Sequence, residues 1–90
     1  MRLLINIENS KITVILKKKD EIDSMSFLDE HNLTEKLLFS IDELLKRNKL
    51  EIYNIRNIQV ESNRTNRFTT ERIAKTTAKI INQMKDKSNI

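Results

Sequence analysis

The 90-residue sequence has no cysteine, no glycine, no proline and no tryptophan, and its only histidine is His31. Without cysteine there is no disulfide, no thiolate metal site and no cysteine nucleophile. With one histidine there is no His-rich metal cluster either, so neither a metal nor a cofactor is expected. Without glycine there is no loop of the kind that lets a phosphate group approach the backbone. Left-handed turn positions then fall to Asn or Asp, the next most tolerant residues. Aromatic side chains are scarce: Phe27, Phe39, Phe68 and Tyr53 are scattered and form no base-stacking platform. No apolar run approaches the ~18 residues of a membrane span, and the N-terminus lacks the long apolar region of a signal peptide. A cytoplasmic location and no membrane partner are the resulting expectations.

What is present is mostly charge. Charged residues make up 33% of the chain and leave a net charge of +4. A basic balance favours acidic partners, nucleic acid among them. The basic residues do not form one block, however. Lys17, Lys18 and Lys19 are followed at once by Asp20, Glu21 and Asp23, the pattern of a solvated turn. The apolar share of 38% lies below the ~45–50% of ordinary globular chains. Residues 1–90 therefore make one small domain with a thin core, and such a core gains stability from a partner.

The period of the apolar residues sets the elements. Strands are expected near 2–8, 11–17, 21–28 and 57–61, the first two from apolar and β-branched runs. The third rests on weaker alternation, with Ile22, Ser24, Ser26 and Leu28 on one side and Asp23, Met25 and Phe27 on the other. A helix is expected near 32–48, because Leu33, Leu37, Leu38, Ile41, Leu44 and Leu45 recur at three- and four-residue steps. Asn32 and Glu35 read as a variant capping box at its start, and Asn48 as its stop in place of glycine. A second helix is expected near 69–86, with Ile73, Thr77, Ile80, Ile81 and Met84 on its stripe. The fold class is thus α/β in the order β-β-β-α-β-α: a mixed four-stranded sheet with two helices, in which the crossover helix permits a last strand parallel to the first.

Three segments carry a family resemblance. The opening Met-Arg-Leu-Leu-Ile-Asn-Ile-Glu-Asn-Ser is similar to M-R-I-L-A-I-D-T-S. The stretch from Leu33 to Leu45 is similar to H-S-E-x-L-L-P-x-I-D-x-L-L. The run Arg67-Phe68-Thr69-Thr70-Glu71-Arg72-Ile73-Ala74 is similar to S-F-T-G-L-R-I-G. In these motifs and their spacing the chain resembles the N-terminal lobe of the TsaB (YeaZ) family, the dimerisation subunit of tRNA threonylcarbamoyladenosine biosynthesis. The resemblance implies a ribonuclease-H-like lobe of the actin/sugar-kinase/Hsp70 (ASKHA) superfamily. It also implies a non-catalytic subunit that pairs through its two helices, either as a homodimer or with a TsaD-like catalytic subunit, and it leaves room for an indirect tRNA contact. The departures are specific. Leu33 and Phe39 stand where the family has His and Pro, Glu8 replaces its Asp, and residues Ser62 to Asn66 replace its G-x-G-P-G loop. The family's second lobe has no counterpart here.

The candidate partner surface consists of Leu33, Leu37, Phe39, Ile41 and Leu44 on the first helix and Ile73, Thr77 and Ile80 on the second. Leu33, Leu37, Ile73 and Ile80 are expected to stay partly exposed, because one sheet face is too small to cover every aliphatic on both helices. Phe39 lies off the apolar arc and reads as an exposed anchor. No catalytic residue is assigned. Glu8, Asn9 and Ser10 read as a polar hairpin turn, with ATP neither bound nor hydrolysed. Thr69 and Arg72 read as a helix start with solvated charge, and His31 as a loop residue. The alternative is a small basic RNA-binding domain using Arg64, Arg67, Arg72, Lys75 and Lys79.

Overall fold

The computed structural model describes the backbone of residues 1–8, 10–28, 31–62 and 68–88, and the side chains of all of these except 68, 69 and 84–88. Strands β1 (Arg2–Glu8) and β2 (Lys11–Lys17) alternate strictly. Leu3, Ile5 and Ile7 of β1 and Ile12, Val14 and Leu16 of β2 are at most 1% exposed, while the residues between them are half-buried or exposed. This period-2 pattern gives the sheet one apolar face, which fixes the register because a one-residue slip would turn every one of these side chains outward. β3 (Glu21–Leu28) pairs with β2, and its ambiguous alternation resolves in one direction. Met25 and Phe27 pack against the core, whereas Ile22 and Leu28 stand 44% and 56% exposed on the opposite face.

The sheet order is β3-β2-β1-β4. β1–β2 and β2–β3 are antiparallel, and β4 (Asn57–Ser62) lies parallel to β1, with Leu3 opposite Ile58 and Ile5 opposite Val60. The crossover from β3 to β4 runs through helix α1 (Leu33–Arg47). Leu33, Leu37, Ile41, Leu44 and Leu45 of α1 join the strand aliphatics in one core, together with Ala74, Ala78 and Ile81 of helix α2 (Phe68–Ser88). Both helices therefore cover the same sheet face. Among the described residues, no helix covers the other face. The alanines let α2 lie close to β4, and each large aliphatic buried in this layer contributes about 1.5–3 kcal/mol.

The ends of α1 differ from the sequence expectation. Asn32 holds the N-cap position with left-handed backbone, φ 61° and ψ 45°, and its side chain makes no capping hydrogen bond, so no capping box with Glu35 forms. A left-handed residue cannot place its side chain over the first turn as an extended cap does. At the other end Asn48 is the C-cap, but the left-handed residue is Lys49, φ 56°. The Leu50 N–H donates to the Leu45 carbonyl at 2.8 Å and the Lys49 N–H to the Lys46 carbonyl at 3.2 Å. This is the Schellman pattern that glycine usually serves. The Asn48 Nδ2 donates instead to the Leu44 carbonyl, 2.7 Å away. Residues 52–54 form a 3₁₀ turn where the sequence showed only spaced isoleucines, and the turn delivers Ile55 into the core at 1% exposure.

Candidate functional site

The helical face does not expose the residues first assigned to it. Leu33, Leu37, Ile41 and Leu44 are 7%, 0%, 4% and 0% exposed, so they are core rather than surface. The expectation that Leu33 and Leu37 remain partly open is corrected: the six aliphatics of β1 and β2 provide enough apolar sheet to cover them. Thr77 is also buried, and its hydroxyl donates to the Ile73 carbonyl at 2.8 Å. Of the eight residues, Phe39 (62%) and Ile80 (51%) are exposed, and Ile73 is half-buried against the core.

Helix geometry shows where the exposed apolar groups gather. The flank of α1 bearing Lys36, Ser40 and Arg47 faces β3: Arg47 bonds Asp23, and Lys36 and Ser40 line a groove with Met25 and Phe27. At 100° per residue, Leu38 lies on the opposite flank, the one turned toward α2. On α2, Asn82 and Ala78 face the outer edge of β4, which leaves Ile73 and Ile80 on the flank turned toward α1. Leu38 (46% exposed), Ile73 and Ile80 thus border the outer seam between the two helices. Leu38 is not among the residues assigned to the partner surface from the sequence, although it lies on the same apolar stripe as Leu37. The signal that separates them is its position at the rim of the arc, 100° from Leu37.

Polar side chains close parts of both sheet edges. At the β3 edge, Arg47 donates through Nε to Asp23 Oδ2 at 3.1 Å and through Nη2 to Oδ1, and Asn48 Nδ2 reaches the same Oδ2 at 3.0 Å. The Arg47 hydrogen bonds, followed by the one from Asn48, hold the Asp23 carboxyl below the usual aspartate value. Ser24 is enclosed by this cluster: its N–H donates to Asp23 Oδ1 at 2.9 Å, and its carbonyl accepts from Arg47 at 3.4 Å. At the β4 edge the Asn82 carboxamide accepts from the Ile58 N–H at 3.3 Å and donates to its carbonyl at 3.4 Å. One amide thus stands in for a neighbouring strand. The cavity beside it, about 330 Å³, is lined by Ile58, Val60, Lys75, Lys79 and Gln83 among others.

The other candidates are simply placed. Glu8 and Ser10 flank the β1–β2 turn and are exposed, with Asn9 outside the described residues. Arg64 and Arg67 also lie outside them, as does the side chain of Thr69. Arg72, Lys75 and Lys79 are exposed on α2, and Lys75 is paired with Glu71 at 2.8 Å. His31 is exposed. Among the described residues, no group of three or more His, Asp or Glu side chains is placed to hold a metal, and no helix is long and apolar enough to cross a membrane.

No family model matches the sequence, and no curated protein matches it. Solved structures do match. The fold is similar to that of YeaZ from Pseudomonas aeruginosa, with a TM-score of 0.75 over 96% of this chain and 18% identity. It is also similar to an uncharacterized protein described as having similarity to peptidase YEAZ from the same organism, with a TM-score of 0.67 and 18% identity. The chain spans 41% and 40% of the length of those two proteins. The similarity covers 96% of the chain and so the whole β-β-β-α-β-α arrangement, a mixed four-stranded sheet with two helices, as the sequence periodicity led one to expect.

Proposed function

We propose that this chain is an assembly module of the TsaB type. It pairs through the α1–α2 seam with a second copy or with a TsaD-like catalytic subunit. In this reading the catalytic subunit carries out threonylcarbamoyl transfer to tRNA adenosine, and the module supports it without performing chemistry itself. The observation that carries the reading is the seam, where Leu38 on α1 and Ile80 on α2 stand about half exposed and Ile73 on α2 is half-buried. Aliphatic side chains grouped between two helices on a domain with so small a core mark a surface that gains by being covered. The similarity to YeaZ supports the fold on which such a seam is built.

The test is the mass of the protein by light scattering over a wide concentration range, alone and with a TsaD-like subunit. Association that weakens in a Leu38→Ser, Ile80→Ser double variant, with the fold intact by circular dichroism, is the expected result. A protein that ignores the catalytic subunit but shifts tRNA in a salt-dependent manner would replace this reading with RNA binding through Arg72 and Lys79.

A further inference from the structure

We propose that the groove between β3 and α1 is a docking site for an extended segment of another protein, one that carries an acidic residue and, two positions later, a tyrosine. The proposal is separate from the seam reading and lies on the other flank of α1.

The strand side offers an open edge of limited length. In an antiparallel ladder, alternate residues send their N–H and C=O groups to the same side. Ser24 sends its groups outward, where Asp23 and Arg47 meet them. Ser26 and Leu28 share that orientation, and among the described residues no side chain caps their backbone groups. The open stretch therefore runs from Ser26 to Leu28 and stops at the Asp23–Arg47 cluster. Met25 and Phe27 turn their side chains toward α1 and wall a groove of about 500 Å³. An unpaired strand edge next to an apolar groove is the geometry that accepts a further strand.

The helix side identifies the occupant. Residues four apart share a row on a helix, so Asn32, Lys36 and Ser40 form one row of the groove wall and Glu35 and Phe39 a second. Ser40 is 3% exposed and Lys36 is half-buried, whereas Glu35 and Phe39 are exposed, so the first row lies inside, next to β3. Both inner polar groups lack a partner. Among the described residues Lys36 forms no salt bridge, and the Ser40 hydroxyl forms no hydrogen bond although it lines the groove on an almost wholly buried residue. A carboxylate complements Lys36, and a buried hydroxyl gains from a polar tip brought to it across apolar walls. Tyrosine has that shape: its ring packs between Met25 and Phe39, and its hydroxyl meets Ser40. The spacing agrees, since Lys36 and Ser40 lie about 6 Å apart along α1 and same-face residues of a strand about 6.8 Å apart. α1 runs back along β3, with Arg47 meeting Asp23 at one end, so Ser40 lies beside Met25 and Lys36 beside Phe27. A strand antiparallel to β3, the more stable pairing, places its middle residue opposite Ser26. The acidic residue before it then falls opposite Phe27, and the tyrosine after it opposite Met25. Glu35 on the outer row opposes a second acidic residue and keeps the complement to one.

The probe is a capped heptapeptide of threonines with glutamate at its third position and tyrosine at its fifth, titrated into the protein and followed by the protein's backbone amide signals in NMR. The Ser26 and Leu28 amides should shift and saturate. Lys36→Glu should weaken binding about fivefold, and a peptide with lysine in place of the glutamate should regain that loss on the variant. Ser40→Ala should weaken binding of the tyrosine peptide about fivefold and leave a phenylalanine version unchanged. Circular dichroism checks that each variant is folded. Leu38→Ser should leave binding unchanged, which separates failure here from failure of the seam reading. Ser26 and Leu28 amides that do not move, a Lys36→Glu variant indifferent to the peptide's charge, or a Ser40→Ala loss shared by the phenylalanine version would overturn the proposal. So would binding of N-acetyltyrosinamide as tightly as the peptide, which would mark a small-molecule site, or shifts of the same amides with protein concentration alone, which would give the edge to a second copy.

Discussion

Leu37 and Leu38 are adjacent in sequence and similar in chemistry, yet the structure assigns them opposite roles, which makes the pair a sharp test. Leu37 is 0% exposed at the centre of the α1 contact with the sheet, whereas Leu38 is 46% exposed. Truncating a fully buried leucine removes its transfer free energy and leaves a cavity, at about 3–5 kcal/mol. A domain of 90 residues has a total stability of only about 5–13 kcal/mol. Leu37→Ala should therefore remove about a quarter or more of the stability and lower the melting temperature by at least about 12 °C. Leu38→Ala loses roughly half a leucine's burial, keeps a good helix former and leaves no closed cavity, so its cost should be about 1 kcal/mol or less. Urea unfolding followed by circular dichroism, with the protein dilute enough to be dissociated, measures both. Equal costs for the two variants would refute the division into core and seam on which the proposed function rests.

Lys49 occupies a left-handed position without being glycine, so Lys49→Gly should raise unfolding stability by about 0.5–1 kcal/mol, and a loss of stability would contradict the Schellman geometry. The Asp23 carboxyl is held below the usual value by Arg47 and then by Asn48, so its contribution is present above pH ~4 and fades as pH falls through its lowered value. Arg47→Ala should abolish that part of the acid-induced loss, as read by stability measured from neutral to acid pH; unchanged acid sensitivity would sink the assignment. Asn82→Ala should expose the Ile58 amide, seen as faster hydrogen exchange at that residue than in the parent, and an unchanged rate would show that the carboxamide does not close the β4 edge.

The sheet was legible because β1 and β2 are short apolar runs rich in β-branched residues, and the period switch after residue 28 marked the crossover helix. What sequence alone could not show was which side of a continuous aliphatic stripe meets the sheet. Leu33, Leu37, Ile41 and Leu44 read equally well as core or as partner surface until the strand aliphatics opposite them were placed. The helix ends failed for a different reason. In a chain without glycine, Asn32 and Asn48 were natural choices for the special backbone positions, but the left-handed C-terminal position went to Lys49, set by the register of the last turn. The edge closures by Asp23 with Arg47 and by Asn82 with Ile58 join residues 24 apart. Pairings at that separation leave no local pattern to read.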